Sequence, residues 1–277
     1  MNTLTEHTER IDTRLGELQA RIYGDGRLTI LWSSMFVDSH TWDRILPRLN
    51  EGSAIPRRFV LIDPPGLGLS APLRRPSTIA EAADAARDAL VVLGANEPVD
   101  WLGNAFGGHV GLNLATDPHT LRSLVAVSSP TEPIASGLRR KIAILKPVLR
   151  LAGPVGPVRR AIVDAMLTDD SASTPATRQV VLDSLRRPTK ASMSLALRSF
   201  IIDRTDVTDR LADIRVPSLF VASDDRGDWS PVDAQHAASL APGAQAVTIS
   251  ASRTLIPLEQ PERLAAVILQ FWADLPE

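Results

Sequence analysis

The sequence predicts an α/β protein in which a mostly parallel sheet is flanked by helices and covered by a helical cap. Short apolar, β-branched runs alternate with longer amphipathic patterns, which is typical of strands joined by crossover helices. Only helical patterns occur from 131 to 208, so that part is expected to form the cap. The chain has 277 residues, 44% of them hydrophobic, which suffices for a substantial core.

The element boundaries follow from these runs. The predicted strands are Ala20–Tyr23, Leu28–Ser33, Phe59–Asp63, Val99–Leu102, Leu121–Ser128, Ser218–Ala222 and Ala246–Ile249. The predicted helices outside the cap are Thr41–Leu49, Ile79–Leu93, Gly107–Ala115, Val232–Leu240 and Pro261–Trp272. The core is therefore expected to comprise 1–130 and 209–277, with the cap inserted at 131–208.

Composition and charge narrow the function classes. A net charge of -2 gives no overall attraction to nucleic acid or to an anionic membrane. The chain has no cysteine, and its five histidines lack metal-ligand spacing. Neither a signal peptide nor a long apolar span is evident. We therefore expect a cytoplasmic protein with no metal and no cofactor, and with a peptide or small molecule as its partner.

The most informative segment runs from Val99 to Gly111, where a strand leads through a glycine-rich turn into a helix. Gly103, Ala105 and Gly107 have the spacing of G-x-S-x-G, in which a nucleophile lies on a strained strand-to-helix turn. Small residues on both sides let the chain pass through that turn. Here the central residue is alanine, so the motif lacks its nucleophilic atom.

Three further segments occur in a familiar order: Asp38-Ser-His-Thr-Trp42, Asp63-Pro-Pro-Gly-Leu-Gly-Leu-Ser70 and Leu258-Glu-Gln-Pro-Glu262. With the glycine-rich turn, they resemble the landmarks of the α/β-hydrolase family over nearly the whole chain. The first loop is most similar to that of enol-lactonase-like members. This resemblance implies an α/β-hydrolase fold, and we expect Asp38 and Asp63 to hold turns together by binding backbone N–H groups.

The resemblance also implies an oxyanion hole of backbone N–H groups. The matching donors are Met35 or Phe36 in the first loop, and Phe106 after the elbow. Because they are main-chain atoms, the substitutions need not remove them. The neighbouring Ser33 and Ser34 are expected to line the same pocket and are candidates for a relocated nucleophile.

The family's base and acid also map onto unusual residues. Counting back five positions from Glu259 places Thr254 where the family has a histidine base, and threonine cannot act as a base near neutral pH. The acid position corresponds to Arg226, with Asp225 or Asp228 as alternatives if the loop is shifted. The sequence therefore predicts a degenerate triad of Ala105, Arg226 and Thr254.

Three other side chains are candidates near this site. His109, one turn beyond the elbow, and His40, in the first loop, are candidate bases, although a structural role is favoured for both. Trp229 either lines the pocket mouth, where it could stack on a ligand, or packs in the core. The basic residues of the cap are expected to form a solvated helix face that could attract a carboxylate; they are Arg139, Arg140, Lys141, Arg159 and Arg160.

Three function classes remain. In its pattern of losses the chain resembles the peptide epimerase of bottromycin biosynthesis, an atypical α/β-hydrolase-fold protein. That resemblance implies isomerisation at an aspartate α-carbon of a modified peptide, with proton transfer assisted by the substrate, and this is the function we expect. The alternatives are a non-catalytic small-molecule or peptide binding protein and a hydrolase with a relocated nucleophile.

Overall fold

The computed structural model describes residues 5–275, which form one eight-stranded sheet in the order β1-β2-β4-β3-β5-β6-β7-β8. The strands are β1 (Glu6–Ile11), β2 (Leu18–Tyr23), β3 (Arg27–Trp32), β4 (Arg57–Ile62), β5 (Val99–Asn104), β6 (Leu121–Val127), β7 (Ser218–Ser223) and β8 (Ala244–Ile249). β2 is antiparallel to both β1 and β4, and all other neighbours are parallel. The mostly parallel sheet predicted from sequence is confirmed.

Helices cover both faces of the sheet and form the cap. They are α1 (Leu46–Gly52), α2 (Ile79–Val92), α3 (Phe106–Leu114), α4 (Ser136–Ala152), α5 (Gly156–Met166), α6 (Asp169–Ser173), α7 (Pro175–Ser184), α8 (Lys190–Leu197), α9 (Pro231–Leu240), α10 (Ile256–Glu259) and α11 (Pro261–Ala273). Helices α4 to α8 lie between β6 and β7, within the segment expected to form the cap.

Two elements differ from the sequence prediction. Strand β1 was not predicted, because its sequence, EHTERI, is polar and mostly exposed; it pairs with β2 at the sheet edge. The helix predicted over Thr41–Leu49 is divided into a 3₁₀ turn at Ser39–Trp42 and α1. Pro47 lies in the first turn of α1 and has no backbone N–H to donate to the carbonyl four residues earlier, so the helical hydrogen-bond ladder does not run unbroken from the 3₁₀ turn into α1.

Two buried carboxylates hold the loops above the sheet. Asp63 accepts hydrogen bonds from the backbone N–H groups of Ser39 at 2.8 Å and Leu69 at 2.7 Å. Asp38 accepts one from the N–H of His40 and forms an ion pair with Arg187 of the cap. The structural roles predicted for both aspartates are confirmed, and the loops that follow β3 and β4 are thereby fixed beside the carboxyl end of β5.

Candidate active site

The elbow after β5 retains the backbone of a nucleophile-bearing turn. Ala105 has φ 47° and ψ -103°, a strained conformation for a residue with a side chain, and it is partly exposed whereas its neighbours on both sides are buried. Its N–H donates to the carbonyl of Val127 at 2.7 Å, which ties the turn to β6. Position 105 is thus presented as a nucleophile would be, but it carries only a methyl group.

The small residues around the elbow are required by close packing. A Cβ at Gly103 would overlap the backbone of Gly107, and a Cβ at Gly107 would overlap the carbonyl oxygen of Trp32. A strand, a turn and a helix can therefore approach this closely only with glycine at both positions. The spacing read from the sequence corresponds to a real steric constraint.

Backbone N–H donors occur in both segments that were predicted to form the oxyanion hole. Helix α3 begins at Phe106, and Ala105 before it provides no side-chain cap, so the first N–H groups of the helix have no intrahelical acceptor. On the first loop, Phe36 has a positive φ of 65°. The predicted donors at Phe36 and Phe106 thus belong to two strained turns, and the N-terminus of α3 also favours negative charge.

Thr254, the residue predicted at the base position, links the core to the cap. The hydroxyl of Thr254 donates to the carbonyl of Ala165 in α5 at 2.8 Å, and the N–H of Leu255 donates to Met166. The carbonyl of Thr254 accepts from the side-chain amide of Asn104, directly before the elbow. Thr254 is therefore occupied in holding three segments together and offers no base to position 105.

Arg253, the residue before Thr254, adds further contacts between the core and the cap. Arg253 is almost fully buried; it donates to the carbonyl of Asp164 and forms an ion pair with Asp225 at 2.7 Å. Glu259 accepts from the N–H of Arg253 and from both the N–H and the hydroxyl of Thr168. None of these contacts was predicted, and all except the short link from Arg253 to Glu259 join residues far apart in sequence.

In the loop after β7, where the acid was predicted, one carboxylate is anchored by arginine side chains and one arginine is exposed. Although burial by itself raises it, hydrogen bonds from Arg253 and Arg226 hold the pKa of Asp225 below its usual value. Arg226 points outward and pairs with Asp169 of α6, whereas Asp228 pairs with Arg204. Asp225 is thus the loop carboxylate that reaches the segment next to Thr254, and Arg226 has no contact with the elbow.

A cavity of about 140 Å³ lies within the cap rather than at the elbow. It is lined almost entirely by apolar residues of α4, α5 and α8, including Ile142, Leu145, Leu149 and Ile162, and Phe36 is its contact with the first loop. The apolar spacing of α4 at 138, 142, 145 and 149 is the sequence signal that could have located it.

Most residues predicted to line the pocket do not face this cavity. Ser33, Ser34, Met35 and Phe106 are buried in the core, at 2% exposure or less, and Phe106 stacks on Phe200 of the cap with ring centroids 4.3 Å apart. Ala105 and Thr254 are partly exposed but lie outside the cavity wall. Of the predicted pocket, Phe36 alone lines it.

Trp229 is likewise a core residue, not a side chain of the pocket mouth. It is 2% exposed and packs at a tilt against Phe220 of β7, with ring centroids 5.8 Å apart. Although Trp229 lies in the loop after β7, its large indole is buried against that strand, so the core alternative holds.

The candidate bases are not placed for catalysis. His109 is buried and binds the carbonyl of Pro130 at 2.8 Å, and burial together with nearby Arg204 lowers its pKa to about 3. His40 binds Asp43 at the 3₁₀ turn beside β2, and this hydrogen bond raises its pKa. The structural role favoured from sequence therefore holds for both histidines.

The alternative nucleophiles lack an activating base in the structure. The hydroxyl of Ser33 accepts a hydrogen bond from the indole N–H of Trp42 at 3.1 Å, and that of Ser34 is buried without a partner among the described residues. Within residues 5–275, no three His, Asp or Glu side chains cluster as metal ligands. No helix in the same range is long and apolar enough to cross a bilayer.

A strained elbow, flanking glycines and backbone donors on a mostly parallel sheet define a hydrolase-type scaffold. A model of the Alpha/beta hydrolase family matches residues 29–267, and the chain belongs to this family. A pimeloyl-[acyl-carrier protein] methyl ester esterase of Stenotrophomonas maltophilia is 28% identical over 78% of this chain and 82% of its own. A protein of Azorhizobium caulinodans assigned as a carbamate hydrolase is 31% identical over 76% and 77%, respectively.

Solved structures agree on the fold. The enol-lactonase of Burkholderia xenovorans superposes with a TM-score of 0.85 over 96% of this chain and 100% of its own, at 17% identity. A thermophilic esterase of Thermogutta terrifontis superposes with a TM-score of 0.82 over 97% of this chain and 99% of its own, at 20% identity. These likenesses establish the α/β-hydrolase fold expected from sequence.

The expected epimerase function is wrong. The matched relatives are named as esterases and hydrolases, which points to an enzyme of the hydrolase family rather than an isomerase. The resemblance to the bottromycin epimerase depended on missing side chains alone, and a shared absence carries no information about which reaction replaces the lost one.

Proposed function

We propose that the protein is a hydrolase-family member that binds an apolar acyl compound under its cap and hydrolyses it slowly with water, without an acyl-enzyme. The observation that carries the proposal is the elbow, which keeps its strained backbone while position 105 is alanine. Such a turn preserves the electrostatic part of the site and removes the nucleophilic part.

The retained backbone donors favour a substrate carbonyl whose oxygen gains negative charge during the reaction. The N–H groups at Phe36 and at the start of α3 are main-chain donors on fixed turns, so they need no reorganisation when charge develops on an oxygen. Each such donor contributes roughly 10²–10³ in rate in serine hydrolases. The same donors bind a carboxylate product, because the helix N-terminus favours anions.

The side chains at positions 105 and 254 exclude a covalent serine mechanism at the elbow. Ala105 has no nucleophilic atom, and the hydroxyl of Thr254 is engaged by Ala165. Hydrolases that lose their triad but keep the oxyanion hole and binding site retain roughly 10³–10⁴ over the uncatalysed rate. Water attack on a polarised carbonyl at about that level is what this geometry supports.

The cavity indicates the kind of substrate. Its wall is apolar, with Lys141 and Lys146 as its charged members, and Phe36 belongs both to this wall and to the first loop. An acyl chain in the cavity would therefore place its carbonyl toward the backbone donors, and the lysines suit an acidic group. The names of the relatives, a methyl ester esterase and an enol-lactonase, support ester-type substrates.

The test compares p-nitrophenyl esters of increasing chain length with wild-type protein. We expect hydrolysis about 10³–10⁴ above buffer without a burst, and no labelling by a fluorophosphonate. Ile142→Trp, which fills the cavity, should abolish this activity, whereas Val91→Trp on an exposed face of α2 should not. A burst, or a fluorophosphonate adduct on Ser33 or Ser34, would refute the proposal.

A second experiment restores the missing parts. Ala105→Ser alone should remain slow, because no base activates the hydroxyl. The double variant Ala105→Ser/Thr254→His should accumulate an acyl-enzyme visible by mass spectrometry. An acyl-enzyme in the single variant would mean that a base other than position 254 serves the elbow.

A further inference from the structure

The cap carries an unusual concentration of one charge. Between 133 and 163 the chain has seven basic residues and no acidic one, in a protein with net charge -2. The seven are Arg139, Arg140, Lys141, Lys146, Arg150, Arg159 and Arg160. Within the described part of the chain, none of them takes part in an ion pair with a carboxylate, and all but Lys146 are exposed.

Helix α4 is apolar on two faces. The first, formed by Leu138, Ile142, Leu145 and Leu149, lines the cap cavity. The second consists of Ile144, Pro147 and Leu151, whose spacing of three and four residues places them in one stripe. At 3.6 residues per turn this outer stripe lies roughly opposite the cavity face.

The outer stripe is open to solvent. Ile144 is 70% exposed and Leu151 is 74% exposed, and Val155, just beyond the helix, is 44% exposed. On the helical wheel, Lys141 lies on one side of the stripe and Arg139 and Arg150 on the other, with Arg140 in line with it. Large apolar side chains flanked by cations on both sides are typical of helices that lie in a lipid interface.

We infer that the outer face of α4 binds an anionic phospholipid bilayer. Basic residues near such a surface each contribute to binding, and the apolar stripe can enter the headgroup boundary. The surface carries charge of one sign only, which complements the continuous negative potential of an anionic leaflet, and its exposed apolar stripe matches the depth of the headgroup boundary. Net charge concealed this surface because carboxylates elsewhere cancel it.

This placement also has a consequence for ligand entry. Helix α4 separates the bilayer-facing stripe from the apolar cavity, so an apolar compound dissolved in the membrane would reach the cavity past a single helix. The inference does not depend on hydrolysis, since binding to lipid is measured without any substrate.

The experiment is flotation of the full-length protein with phosphatidylcholine vesicles, with and without phosphatidylserine. We expect binding only to the anionic vesicles, and its loss at high salt. Arg140→Glu/Arg150→Glu should weaken binding at least about 30-fold, given the contribution of each basic residue near an anionic surface. The matched control is Arg178→Glu/Arg263→Glu, which makes the same change of charge on exposed residues outside this surface.

A second variant tests the apolar stripe. Ile144→Ser/Leu151→Ser leaves the charge unchanged and should also weaken binding, with an unchanged circular dichroism spectrum because both side chains are exposed. Equal binding to neutral vesicles, or binding by the Arg140/Arg150 variant at wild-type strength, would overturn the inference. So would a wild-type protein that ignores all vesicles but is retained on an immobilised acidic protein, which would identify the surface as a protein-binding site.

Discussion

The elbow at Ala105 and the loop at Thr254 hold two of the positions predicted to form a degenerate triad, and their contacts differ. At the elbow the backbone is strained, with φ of Ala105 at 47°, and Gly103 and Gly107 are packed without room for a Cβ. In the loop the side chains are engaged, since Arg253 and Thr254 both bind carbonyls of α5. The elbow is therefore a tightly packed strand-to-helix turn, whereas the loop is part of the attachment of the cap.

The largest effect on folding stability is expected at the elbow, and its absence would contradict the contrast between elbow and loop. Gly107→Ala should destabilise the protein by about 4 kcal/mol or more, because the new methyl overlaps the Trp32 carbonyl and neither backbone can move away. Urea unfolding measures this. Gly137→Ala in α4, where a Cβ meets nothing within 4 Å, is the control and should be neutral or slightly stabilising.

A pH effect is expected next on the elbow side. The folded pKa of His109 is lowered to about 3, so between that pH and its unfolded value the unfolded chain binds the extra proton. The contribution of neutral His109 to folding stability is therefore complete above about pH 6.5 and is lost progressively as the pH falls toward 3. His109→Gln should flatten the stability profile over this range, and His119→Gln, at an exposed position, should leave it unchanged.

On the loop side, Arg253→Met should cost about 2 kcal/mol. It removes a buried guanidinium that binds Asp164 and Asp225, and the partly exposed Asp225 limits the penalty for the group left behind. Arg253 also depresses the pKa of Asp225, so the wild type should lose stability as the pH falls below about 4. The variant should lose less over that acid range. Equal acid sensitivity in both proteins would show that this pair does not fasten the cap.

The smallest effect is expected at Thr254. Thr254→Val keeps the shape and removes one hydrogen bond to Ala165, at a cost of about 1 kcal/mol. Hydrogen exchange should show faster opening of α5 while the elbow helix α3 keeps its protection. Loss of protection in both helices would mean that the elbow and the loop form one cooperative unit rather than two regions with separate roles.

Whether a feature could be predicted from the sequence depended on how far apart along the chain its interacting residues lie. The alternation of strands and helices, the elbow spacing and the roles of Asp38 and Asp63 were all predicted, because each has a local signature in the chain; Asp38 binds the N–H of His40 and Asp63 that of Leu69. The polar edge strand β1 was missed, since its pairing partner and not its own pattern makes it a strand. The function was mispredicted, since missing side chains do not specify a replacement chemistry.

The sequence by itself determined that this chain folds as an α/β protein and that position 105 has no nucleophile, because local periodicity and residue identity suffice for both. Only the tertiary structure decided that Trp229 and His109 are core residues, that the cavity lies within the cap, and that Thr254 fastens α5. Each of those outcomes depends on which distant segments meet. A buried carbonyl or an apolar wall supplied by another part of the chain leaves no trace in the local pattern.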